Sequence, residues 1–126
     1  MAKTHFENLR VYQLSERLSD EVWQIVIKWD SFSKNTIGSQ IVRSVDSIGA
    51  NLAEGSGRGS NPNYKRFIKI SRGSLYETRQ WLRRAFKRNL LTKEQVDSIT
   101  PILDELTPTP NAYLKSIGTF AKEPED

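Results

Sequence analysis

The chain has 126 residues, enough for one domain (residues 1–126) with one core. It has no cysteine and a single histidine, His5 near the N-terminus, so disulfides and thiolate metal sites are excluded and no metal site is expected. Net charge is +4, no run approaches the ~18 apolar residues of a membrane span, and MAKTHFENLR lacks a signal peptide's apolar core; a cytoplasmic protein without a membrane partner is expected.

In the first segment, about residues 9–30, Val11, Leu14, Leu18, Val22, Ile25, Val26 and Trp29 recur at steps of three and four, which predicts an amphipathic helix. Ser31 to Asn35 are short polar residues expected to break it. A second helix is predicted over 37–56, with Ile37, Ile41, Val42, Val45, Ile48, Leu52 and Ala53 on one side. Gly49 in its middle costs about 1 kcal/mol relative to Ala, which a close backbone approach would explain. Gly55 to Ser60 read as a loop. GSGRGS lacks the Lys-Ser/Thr of a phosphate-binding loop and follows a helix, so a helix cap and turn is the better reading.

Asn61-Pro62 restart the chain as N-cap and first helical residue of a third helix over 62–88. Its core face is Tyr64, Phe67, Ile68, Ser71, Leu75, Thr78, Leu82, Ala85 and Phe86, and the small Ser71, Gly73 and Ser74 invite a close neighbour. Thr92 and Gln95 form a capping box before a fourth helix over 93–106, whose apolar stripe is Val96, Ile99, Leu103 and Leu106. Pro101 removes one backbone donor within it, and a kink is expected there. Pro108 and Pro110 end it, residues 111–118 are expected to add a short helical piece, and the tail to Asp126 to fray. The fold expected is all-α, an antiparallel up-down four-helix bundle with short connections.

Two sets of residues carry candidate functions. Lys65, Lys69, Arg72, Arg79, Arg83 and Lys87 fall within about 40° of one line along the third helix, and Tyr76 lies inside that stripe. Between Tyr64 and Arg88 there are nine cations and one acid, Glu77, more than a solvated face requires. One reading is a track for nucleic-acid phosphates with Tyr76 and Trp81 for stacking; the other is a stripe matched by acids on other helices or another subunit. The second set, Arg43, Asp46, Asn51, Glu54, Arg58 and Glu77, sits among apolar positions and suggests a salt-bridge and capping network. No nucleophile–base pair, metal cluster or cofactor motif accompanies Glu54 and Glu77, so neither an enzyme nor a cofactor is expected. Trp23, Ile27, Ile70 and Trp81 fall off the core faces, as a subunit interface needs.

FENLRVYQLSERL at 6–18, SQIVRSVDSIGANLAEGSGR at 39–58 and YKRFIKISRGSLYE at 64–77 resemble the four-helix-bundle family of 23S rRNA intervening-sequence proteins. The resemblance spans about residues 6–106 and implies a bacterial bundle assembled as a ring-like homopentamer, of unassigned biochemical role. A branch similar in fold is the accessory protein of diversity-generating retroelements, which implies RNA or DNA and a nucleoprotein partner such as a reverse transcriptase. Arg43, Ser47, Asn51, Ala53, Glu54, Gly55, Arg58, Gly73, Ser74 and Glu77 match the family's motif positions and imply an assembly and packing signature. Asp46, Gly49 and LTPTP after Glu105 depart from it.

Overall fold

The computed structural model describes residues 6–58 and 61–107, the side chains of Arg58 and Asn61 excepted. Among these residues the secondary structure is entirely helical: α1 (Arg10–Val26), α2 (Ser31–Ser33), α3 (Ser39–Arg58), α4 (Asn61–Lys87) and α5 (Lys93–Leu106). The expected third and fourth helices are α4 and α5. The expected piece over 111–118 and the fraying tail lie outside the described residues.

The helical periodicities place the core. Leu14, Leu18, Val22 and Val26 of α1 meet Ile41, Val45, Ile48 and Leu52 of α3, Ile68, Leu75, Leu82 and Ala85 of α4, and Ile99, Ile102, Leu103 and Leu106 of α5. The helices pair antiparallel. Arg10 and Glu21 of α1 reach Glu105 and Ser98 of α5, and Ser44, Ser47 and Ile48 of α3 reach Thr78, Ser74 and Ser71 of α4. α3 packs most extensively on α4 and next on α1, while α5 leans on α1 and touches α4 little.

Three boundaries differ from expectation, each for a local reason. α1 ends at Val26, and Trp29 lies beyond it, its indole N–H donating to the Leu90 carbonyl at 3.0 Å. Ser31 to Asn35 do not break the chain into coil. Asp30 caps a new turn by accepting the Ser33 N–H at 3.1 Å, and the backbone winds through a π-helix, Lys34–Gly38, directly into α3. Hydrogen bonds from the Ser33 hydroxyl and backbone hold the Asp30 carboxyl below the usual carboxylate range. Gly38 allows this path, because a Cβ there would sit 2.8 Å from Cγ1 of Val26. The third difference is at the expected loop, where α3 runs on through Gly55 to Arg58. A Cβ on Gly55 would lie 2.9 Å from Cβ of Phe67, so its glycine serves helix packing rather than a turn.

Gly49 meets the expected close approach: a Cβ would be 3.1 Å from Oγ of Ser15 and 3.3 Å from Cε1 of Tyr12. α4 ends in a Schellman turn, with Leu90 N–H on the Ala85 carbonyl (2.9 Å), Asn89 N–H on that of Phe86 (3.1 Å), and Asn89 left-handed at φ 61°. The Thr92 capping box is present in both directions, and α5 continues through Pro101.

Candidate nucleic-acid interface

α4 is the helix on which the candidate residues converge, and its three sides differ. The side against α3 carries Ser71, Ser74 and Thr78 at steps of three and four, facing Ser44, Ser47 and Asn51 at the same steps in α3. Ser71 Oγ donates to the Ile48 carbonyl (2.8 Å), and Ser74 Oγ to Ser47 Oγ (2.9 Å). The Thr78 hydroxyl lies 2.9 Å from Ser44 Oγ and 2.8 Å from the Ser74 carbonyl, while Asn51 Nδ2 donates to both oxygens of Ser47. Short side chains let the two backbones approach, and each hydroxyl finds a hydrogen-bond partner within the seam.

This hydroxyl ladder occupies the α3–α4 seam. Asn51 belongs to it, but Arg43, Asp46, Glu54 and Glu77 are exposed. Asp46 instead accepts a hydrogen bond from the Ser19 hydroxyl of α1. Arg58 contributes its backbone to the last turn of α3. Spacing alone puts acids and hydroxyls on neighbouring angles. The wider angle to solvent goes to the charges, because burying them costs more.

The outward side of α4 holds the cations. Lys65, Lys69, Arg83 and Lys87 are exposed, and among the described residues none of them stands in an ion pair. Arg66 lies over the Phe67 ring, 5.6 Å from its centroid. Two members of the expected stripe turn inward. Arg72 is only 3% exposed; its Nη2 donates to Tyr76 Oη at 2.8 Å, and its guanidinium sits 5.4 Å from that ring's centroid. It is therefore withdrawn from the surface, and among its contacts it braces Tyr76, which is 41% exposed. Arg79 is half-buried and tied to α5, with Nη1 3.8 Å from Asp104 and 3.1 Å from the Thr107 hydroxyl. The i,i+4 spacing of Arg72 and Tyr76 is the signal that the helical-wheel argument passed over.

The off-core apolar residues divide. Trp23, Ile27 and Ile70 are exposed, as is Phe32. Trp81 is partly buried and lines a groove of about 360 Å³ with Asn35, Thr36, Ile37, Gln40 and Arg88. Its indole N–H is buried without a hydrogen-bond partner. Gly73 faces open space rather than a neighbouring helix.

The third side of α4 faces α5 across an open groove of about 190 Å³. Leu82, Phe86, Leu91, Val96, Ile99 and Leu103 form its floor and walls, with Arg79 and Arg83 at the rim. Phe86 was expected in the core but is 48% exposed here, because α5 stands off α4. A cleft between α1 and α3 is lined by Glu16, Asp20 and Asp46, so acids and cations occupy different faces. Among the described residues no group of His, Cys, Asp and Glu is placed to hold a metal, and no helix is long and apolar enough to cross a membrane.

The fold is similar to the crystal structure of a protein of unknown function from the S23 ribosomal protein family of Bacteroides thetaiotaomicron VPI-5482. The TM-score is 0.68 at 24% identity, over 89% of this chain and 98% of that one, a likeness of fold. No curated protein matches the sequence. The profile of the 23S rRNA-intervening sequence proteins matches residues 7–112, the span that holds the hydroxyl seam and the cationic side of α4, and the chain belongs to that family.

Proposed function

We propose that this protein is a non-enzymatic basic bundle that assembles as a homo-oligomer, a pentameric ring by family resemblance, and binds nucleic acid, RNA foremost, or a nucleoprotein. The observation that carries the reading is the outward side of α4, where Lys65, Lys69, Arg83 and Lys87 are exposed and in no ion pair among the described residues. Mobile cations without partners gain most from meeting phosphates, because each contact releases a condensed counterion. Tyr76, braced by Arg72, offers a ring face for an unpaired base. Ile70 and Gly73 supply the surface for a neighbouring copy, and a ring would repeat the cationic track so that weak contacts add.

The test is anisotropy of a labelled single-stranded RNA titrated across salt, beside light scattering of the protein alone. Affinity should fall steeply with salt. Lys65, Lys69, Arg83 and Lys87 changed together to Gln should flatten the slope of log K against log salt by about 0.7 per lost contact. Absence of binding near 50 mM salt with the assembly intact overturns the nucleic-acid reading, and a mass of one chain, 14.5 kDa, overturns the assembly.

A protein-binding scaffold is the second reading, favoured by exposed Trp23, Ile27 and Phe32 and by the acids of the α1–α3 cleft. In that case the acids of one copy match the cations of the next.

A further inference from the structure

We propose that the groove beside Trp81 takes the base of one unpaired nucleotide of a bound single strand, with its phosphate on Arg88. The inference deepens the nucleic-acid reading above and rests on it. The groove measures about 360 Å³, within the range of about 300–1,000 Å³ usual for small-ligand sites. The α4–α5 groove and the acidic cleft, at about 190 and 180 Å³, fall short of that range.

The lining comes from three elements. The π-helix Lys34–Gly38 supplies Asn35, Thr36 and Ile37, α3 adds Gln40, and Trp81 and Arg88 come from α4 and the residue after it. Stretches of π-helix are rare and recur at functional sites. Ile37 is buried and the Trp81 N–H is covered, so what these two offer is hydrocarbon and ring surface. The Thr36 hydroxyl is engaged by the Phe32 carbonyl at 2.7 Å. The Asn35 and Gln40 side chains are exposed and, among the described residues, make no hydrogen bond. A primary amide carries a donor and an acceptor side by side, the arrangement that a base presents on its own edge. Ring surface beside two free amides suits a flat heterocycle better than an aliphatic chain.

Charge then selects a nucleotide within a strand. At about 100° per residue, Lys87, Arg84 and Arg88 step round α4 from its outward cationic side to the line of Trp81, about 60° and then about 40° apart. Arg88 keeps this register past the helix end, its N–H donating to the Arg84 carbonyl at 3.0 Å. Arg84 and Arg88 are exposed, and among the described residues neither stands in an ion pair. Glu77, exposed one turn before Trp81, repels a phosphate from that end and favours it at Arg88. A strand whose phosphates follow Lys69, Arg83 and Lys87 is thus led by Arg84 to the groove, where one splayed base enters. An uncharged heterocycle or sugar would leave these cations unused.

The test uses the full chain labelled with 5-fluorotryptophan, whose three tryptophans give three fluorine resonances, that of Trp81 assigned by Trp81→Phe. Titration with a single-stranded oligoribonucleotide should move the Trp81 resonance. By anisotropy, the parent should bind that strand more tightly than an abasic strand of equal length and charge. Asn35→Ala with Gln40→Ala should cut this preference about tenfold and leave the salt slope unchanged, whereas Arg88→Gln should lower the slope by about 0.7. All three positions are exposed, so melting curves of these variants should match the parent. A double variant that keeps the parent's preference overturns the groove assignment and leaves the phosphate track standing. No binding of either strand at about 50 mM salt overturns both. A 5′-mononucleotide that moves the Trp81 resonance at the same concentration as the strand would make a free nucleotide the ligand. A resonance that moves when the assembly is diluted apart, and not with RNA, would seat a second copy there. Either result overturns the proposal.

Discussion

Against α3, α4 presents Ser71, Ser74 and Thr78 to a matching row of Ser44, Ser47 and Asn51, and the hydroxyls bridge the two backbones at 2.8–2.9 Å. Against α5, the same helix presents Leu82 and Phe86 to Val96, Ile99 and Leu103, and the helices stay apart around a groove of about 190 Å³. The polar seam is closed and the apolar one is open, the reverse of what hydrophobicity alone suggests. Side-chain size explains it: small residues permit close approach and then need their hydroxyls satisfied, whereas bulky residues hold the backbones apart. α5 is secured elsewhere, by Arg10–Glu105 and Glu21–Ser98 on α1. Closure of the bundle is therefore set by which pairs of helices carry short side chains.

The sharpest way to break this contrast is to add volume on each side. Ser71 is fully buried in the closed seam, and Ser71→Leu should cost about 1–3 kcal/mol for overpacking, with about 1 kcal/mol more for the bond to the Ile48 carbonyl. Thr100 is exposed on the wall of the open groove, and Thr100→Leu should stay within about 0.5 kcal/mol of the parent. Urea unfolding curves measure both, and equal costs would mean that the two seams are packed alike.

The glycines sharpen the same point with a single methyl group. Gly55→Ala places Cβ 2.9 Å from Cβ of Phe67, an atom fixed to the α4 backbone, so a loss of about 1–2 kcal/mol is expected. Gly73→Ala adds its methyl to an exposed helical position with nothing within 4 Å, where lower unfolded-state entropy should yield a gain of about 0.5–1 kcal/mol. Unfolding measured on dilute protein reads the two signs. Light scattering on Gly73→Ala reads a further quantity, because a neighbouring copy seated on this face would be pushed away by the same methyl.

The four helices, the core stripes, the Thr92 capping box and the tight contact at Gly49 were legible in the sequence, because each rests on local spacing or on one residue's chemistry. Asp30 as a cap was equally readable, but the short polar run after it suggests coil, and only tertiary support at Gly38 turns that run into a π-helix. The candidate site was legible in part. Lys65, Lys69, Arg83 and Lys87 lie outward as the helical wheel places them, while Arg72 and Arg79, some 20–40° nearer the core, turn in to Tyr76 and Asp104. A wheel gives the angle of a Cα, whereas a long arginine follows its nearest acceptor or ring. The hydroxyl ladder was also written in the sequence, as steps of three and four repeated in both helices. Attention to charged residues hides it, since acids and arginines draw the eye to positions the fold leaves in water. The open groove was not legible, because it depends on how far α5 stands from α4.

The smallest expected effect concerns the anchor that holds α5 to α1 rather than to α4. Arg10 Nε and Nη2 donate to the two Glu105 oxygens at 2.7 and 2.9 Å, a bidentate pair in open solvent. The hydrogen bond from Arg10, with its charge, holds the Glu105 carboxyl below the usual carboxylate range, and the same bond raises the Arg10 guanidinium. A folded-state pKa below the unfolded one means that the folded chain favours the ionised form. The pair's contribution is thus fully present above the ordinary glutamate range, about pH 4.3, and is lost as pH falls through the lower folded value. Arg10 does not titrate in this window. Melting curves of the parent and of Glu105→Gln should be separated by a small, constant difference from pH 7 down to about pH 5 and should converge once the pH has fallen through the lowered folded value. Salt should shrink the neutral-pH difference, since exposed pairs are screened. A gap that persists unchanged at pH 3 would mean that Glu105 holds α5 by its shape and side-chain contacts, with its charge playing no part.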